Sequence, residues 1–128
     1  MAIRITIKGG ICFMVATGSL SYRDFAKAWS ETMQSPHFVP PMRALLDISA
    51  MDRSIPEEEI EAMVAFCEQT KAKFSRRCAI VCEPGSLVYG LVRMFCALAE
   101  FHGLDFLIFP DFDEACEWVA RDSTAVAA

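Results

Sequence analysis

Residues 3–18 read Ile3-Arg4-Ile5-Thr6-Ile7-Lys8-Gly9-Gly10-Ile11-Cys12-Phe13-Met14-Val15-Ala16-Thr17-Gly18, and this stretch decides what kind of sheet the chain builds. Isoleucine at 3, 5 and 7 alternates with Arg4, Thr6 and Lys8, the period of a half-exposed strand. Gly9-Gly10 is a two-residue hairpin signal. The run from Ile11 to Thr17 is almost wholly apolar, as expected of a more deeply buried partner strand, and Gly18 ends it. The chain therefore opens with an antiparallel pair.

Helices and strands alternate from there on. Ser21, with Asp24 three residues later, is a variant of the capping box. Tyr22, Phe25, Ala26, Trp29 and Met33 follow at helical spacing, and Pro36 stops the helix near Ser35. Met42 to Ile48 has the apolar density of a central strand. Ser54-Ile55-Pro56-Glu57 reads as a second helix start with serine as the cap, and Ile60, Met63, Val64, Cys67 and Phe74 form its buried face. Cys78 to Cys82 is the next strand, ended by Glu83-Pro84-Gly85. Ser86 is expected to cap a third helix reaching Phe101, apolar most of the way round, with Gly103 in the C-terminal glycine position. Phe106 to Phe109 is the last strand, and Asp111 with Glu114 starts a final helix through Ala120. The order β-β-α-β-α-β-α-β-α predicts a single α/β domain over residues 1–121. Its mixed sheet has an antiparallel N-terminal hairpin and is otherwise mainly parallel; a frayed tail follows at 122–128.

Composition narrows the function classes. The chain has 128 residues, enough for one core. Hydrophobic residues make up 54%, with a mean hydropathy of +0.31, so most side chains must be buried. No stretch approaches the ~20 apolar residues of a membrane span, and no signal pattern opens the chain, so a cytoplasmic location is expected. A net charge of −5 argues against a nucleic-acid binder. The basic cluster Lys71, Lys73, Arg76 and Arg77 is read first as cations gathered at a helix C-terminus, with a partner-binding patch as the alternative. The cysteines Cys12, Cys67, Cys78, Cys82, Cys96 and Cys116 sit in apolar surroundings without C-x-x-C spacing, so they read as reduced core residues, not metal ligands.

Several segments together match something familiar: Trp29 with Pro36-His37-Phe38, Met42-Arg43-Ala44-Leu45-Leu46-Asp47-Ile48, Val88-Tyr89-Gly90-Leu91-Val92-Arg93-Met94-Phe95, and Phe109, Asp113-Glu114-Ala115 and Glu117-Trp118. Over about residues 2–120 the chain resembles the SpoIIAA-like branch of the STAS (sulfate transporter and anti-sigma factor antagonist) superfamily. The resemblance implies the small fold read above and a non-catalytic module that binds a protein, nucleotide or lipid without a resident cofactor. It also points to a serine after the third strand as a phosphorylation switch. The corresponding place is Asp52-Arg53-Ser54, where Arg53 intervenes and Ile55-Pro56 follows instead of glycine.

From the residues themselves, Ser54 at a helix start could hold a phosphate or serve simply as a cap. Ser86, Tyr89 and Arg93, with Tyr22 nearby, form a candidate grip for the polar end of a small amphipathic ligand. The plainer reading of Arg93 is an ion pair or a guanidinium that reaches water. Asp47 is an acid at a strand end. A phosphoacceptor aspartate there would need paired acids after the first strand and a lysine after the last, but Gly9-Gly10 and Pro110-Asp111 occupy those places. His37 and His102 join no nucleophile motif, so neither a catalytic constellation nor a metal site is expected. The sequence thus predicts a module for a protein partner or, alternatively, a carrier of a small amphipathic ligand, and its apolar excess makes a homodimer plausible.

Overall fold

The computed structural model describes residues 2–121; the tail expected to fray, 122–128, lies outside the described residues. Strands β1 (Ala2–Lys8) and β2 (Ile11–Gly18) form the antiparallel hairpin, with Lys8 opposite Ile11. Gly9 and Gly10 turn it with φ of 60° and 78°, the left-handed region that glycine enters without steric penalty. Then come α1 (Tyr22–Met33), β3 (Met42–Met51), α2 (Ile60–Gln69), β4 (Phe74–Val81), α3 (Tyr89–Phe101), β5 (Asp105–Phe109) and α4 (Phe112–Ala120). The five strands lie in the order β1-β2-β3-β4-β5, and every neighbour after the hairpin is parallel. The expected mixed sheet is the one found.

This order has a consequence. Each crossover steps one strand in the same direction, and crossovers of one hand then deliver their helices to one face. The core divides accordingly. Met14, Leu46 and Ile80 pack with Phe25 and Trp29 of α1, Ile60 and Met63 of α2, and Val92 and Phe95 of α3. Leu45, Ala79 and Val81 point the other way and pack with Ala115 and Val119 of α4. Leu45 and Leu46 are adjacent and both buried because side chains alternate faces along a strand. Arg77 fastens the thinner layer: its guanidinium lies 4.7 Å over the Trp118 ring, and its Nε is 3.9 Å from the Asp105 carboxylate.

Helix ends follow their sequence signals where nothing larger competes. Ser21 Oγ accepts from the Asp24 amide at 3.2 Å and donates to the Asp24 carboxylate at 2.8 Å. Asp111 accepts from the Glu114 amide at 3.2 Å. Gly103, at φ 77°, closes α3: the Leu104 amide bonds to the Ala99 carbonyl and the Gly103 amide to that of Glu100.

Two expected caps are not caps. Ser54 lies outside any helix; a 3-10 turn begins at Glu57 and α2 only at Ile60. Ile55 is drawn into the core, which holds the chain extended where a cap would start the helix, and the Ser54 hydroxyl donates to the Ile55 carbonyl at 3.3 Å. Ser86 is likewise in a turn, since the buried Val88 delays α3 to Tyr89. The basic cluster is also arranged differently: Lys71 and Lys73 occupy a 3-10 turn after α2, whereas Arg76 and Arg77 lie on β4. Replacing Ser54 with alanine should therefore change stability by less than about 0.5 kcal/mol in urea unfolding. A loss above about 1 kcal/mol would restore the capping role.

Candidate functional site

The unbroken strand order also bears on where a ligand could sit. In parallel sheets the crevice beyond the strand ends opens where the order reverses, and here no reversal occurs. A broad depression lies instead laterally, along the edge of the sheet.

That edge is β5, which among the described residues pairs only with β4. Beside it runs a groove of about 700 Å³, walled on one side by Tyr89, Arg93, Cys96, Ala97 and Glu100 of α3. Tyr89, Arg93, then the adjacent Cys96 and Ala97, then Glu100 follow three or four residues apart, so they form one stripe of the helix. The other wall is the continuous run from Gly103 to Ile108, with Arg76 of β4 at the floor. Consecutive residues of a strand line one groove when its main-chain edge faces the opening.

The outward face of α3 is unusual for a solvated helix. Its exposed residues are Gly90, Arg93, Ala97, Glu100 and Phe101, and Phe101 is 86% exposed. A side chain placed at Gly90 would meet open space. Arg93 is exposed and has no carboxylate within ion-pair reach among the described residues, so its guanidinium is available to a partner.

Of the residues singled out from sequence, the structure brings Tyr89 and Arg93 together and separates the others. Ser86 Oγ lies 3.2 Å from the Cys82 sulfur. Tyr22 is half-buried at the start of α1, where its amide donates to the Glu59 carboxylate reaching over from the turn before α2. The Asp47 carboxylate accepts from the amide and hydroxyl of Ser49, at 3.1 and 2.6 Å. Ser54 is exposed beside the exposed Asp52–Arg53 pair. Arg76 belongs to the basic cluster noted in the sequence, whereas Glu100 and the open edge of β5 carry no sequence signal.

Among the described residues, two small and mainly apolar cavities lie between the helices and the sheet. One, of about 50 Å³, is lined by Trp29, Phe66, Phe74 and Leu104; the other, of about 30 Å³, by Met14, Ile48, Ile60 and Val92. Phe25 and Leu46 border both. Trp29 is buried, and its indole N–H has no hydrogen-bond acceptor among the described residues.

Cys12, Cys67, Cys78 and Cys96 make poor nucleophiles. All are free, and burial pushes the thiols of Cys12, Cys67 and Cys96 up to about 12. Cys78 is also raised well above the usual thiol value, first by burial and then by its neighbours Cys67 and Cys96. At pH 8 a thiol of pKa 12 holds roughly a thousandfold less thiolate than one of pKa 9, so these should resist iodoacetamide by about that factor relative to the unfolded chain. Rapid alkylation of the native protein at Cys12, Cys67 or Cys96 would contradict the burial. The sign for stability is also fixed: a raised folded pKa stabilises fully below the unfolded value near 9, and that contribution is lost as pH rises toward about 12. His102 Nδ1 lies 2.7 Å from a Glu68 carboxylate oxygen, tying α3 to α2. Among the described residues, no three metal-ligating side chains are grouped closely enough to hold an ion.

No family model matches the chain, and no curated protein matches it either. Among solved structures, it is similar to a crystal structure of an uncharacterised DUF3478-family protein with a SpoIIAA-like fold from Shewanella loihica PV-4. The two superpose with a TM-score of 0.61 at 21% identity, over 92% of each chain. The chain has a SpoIIAA-like fold. The resemblance read from Tyr89-Gly90 to Arg93-Met94 and the accompanying segments therefore agrees with the three-dimensional comparison at the level of fold. No described helix is long and apolar enough to cross a membrane.

Proposed function

We propose that this chain is a non-catalytic, STAS-like interaction module of the cytoplasm, and that its working surface is the outward side of α3 together with the open edge of β5. The observation that carries the reading is the composition of that side. A helix face left to solvent is normally rich in charge. Here Gly90, Ala97 and the largely bare Phe101 flank a single arginine and a single glutamate, beside the groove of about 700 Å³. Small residues allow close approach of another chain, and an exposed aromatic supplies the anchor that interfaces favour.

One observation favours a second reading, a carrier of a small apolar molecule. The Trp29 indole N–H lacks an acceptor beside the cavity of about 50 Å³, and a ligand carbonyl could supply one. That volume is too small for a ligand of ordinary size unless the helical layer opens.

Native mass spectrometry of freshly purified protein, set against its denatured mass, separates the two. The module reading expects the bare chain mass. A non-covalent adduct lost on denaturation, and retained less well by Trp29→Phe, would overturn it in favour of a carrier.

A further inference from the structure

The groove has the geometry to accept a strand. Cys82 donates its amide to the Phe109 carbonyl at 3.0 Å, so the main chain of Phe109 points toward β4. Main-chain groups alternate sides along a strand, which turns those of Leu107 and Asp105 the same way and those of Phe106 and Ile108 outward to the edge that no described strand pairs with. The dimensions agree as well: five strand residues span about 17 Å, and the α3 stripe from Tyr89 to Glu100 rises about 16 Å.

The two edges of the sheet are not equivalent. On the face of the sheet that α4 occupies, β1 carries Arg4 and Lys8, charges that discourage edge pairing. β5 carries Leu107, 45% exposed, at the corresponding position. Its one carboxylate, Asp105, already lies 3.9 Å from Arg77.

Charge selects the occupant. A strand laid beside β5 would alternate its side chains between the α3 side and the side of Leu107. On the α3 side stand Arg93 and Arg76 against one acid, Glu100. In a chain of net charge −5 this is a local cationic stretch. Resting on the module reading above, we infer that the partner is an extended segment of another protein that adds to β5 as a sixth strand. It alternates acidic residues toward Arg93 and Arg76 with apolar ones toward Leu107.

The test uses the full chain and a blocked eight-residue peptide alternating glutamate and valine. It is compared with the same peptide carrying lysine for glutamate, and with one N-methylated at alternate amides in both registers. The strand mode predicts that the glutamate peptide slows amide exchange at Phe106 and Ile108 at least tenfold. Lysine or N-methylation should weaken binding at least tenfold, and Arg93→Glu should do the same while its unfolding midpoint is retained. Arg76→Glu is the independent second variant. If the peptide binds and depends on Arg93 while N-methylation is neutral and both amides exchange freely, the strand mode is overturned and the docking surface survives. If the peptide does not bind, both the mode and the stated partner chemistry are overturned. If the two amides are protected without peptide, increasingly with protein concentration, the edge belongs to a second copy and the inference is wrong.

Discussion

Replacing Phe25 with alanine should destabilise the chain by about 3–5 kcal/mol and lower its melting temperature by about 10–20 °C. Phe25 is 3% exposed, meets the Phe66 ring edge-on at 5.9 Å, and borders both interior cavities. Truncation would remove the partition and merge the two voids into a larger one, adding a cavity term to the lost transfer energy. The total stability of a domain this size is about 5–15 kcal/mol, so the variant should stand near the edge of folding. Urea unfolding with an unchanged denaturant slope is the measurement. A loss below about 1 kcal/mol would show that α1 does not seat Phe25 against the sheet as described.

An equally large effect is expected on the opposite face. Val119 is fully buried in a core that joins α4 to Leu45, Ala79 and Val81, and Val119→Asp would place a carboxylate there. Burying an unpaired charge costs about 4 kcal/mol or more, and a single short helix can escape that cost by lifting away. The α4 amides should then exchange at nearly unfolded rates while those of β4 stay protected, because β4 is also covered by the thicker layer of α1, α2 and α3. Uniform deprotection of β4 and α4 would mean that the two layers unfold as one unit.

How much of this was legible in the residues depends on how local the cause was. The hairpin was written in Ile3, Ile5, Ile7 and Gly9-Gly10, and the structure pairs those strands directly. Ser21 with Asp24, Asp111 with Glu114, and Gly103 act within one turn, so their signals were sufficient. Ser54 and Ser86 carry the same local signal, but burial of Ile55 and Val88 outweighs a cap worth about 1 kcal/mol. Tyr89 and Arg93 were readable as one helix stripe. Their opposite wall was not, because unpaired main chain at β5 has no residue-type signature and Arg76 reaches the groove only through the sheet. Ser86 enters that group only as an expected helix start with free amides, and Tyr22 only as a neighbour from α1; their hydrogen bonds lie elsewhere, with Cys82 and Glu59.

The most direct measurement of the docking surface is site-specific photocrosslinking in cells. A photoreactive residue would replace Ala97 on the outward face of α3, with the same residue at Lys27, exposed on α1, as the control. The account predicts a discrete adduct with one protein from position 97, lost when Arg93 is changed to glutamate and not seen from position 27. Equal adducts from both positions, or an adduct from 97 that is indifferent to Arg93, would contradict it.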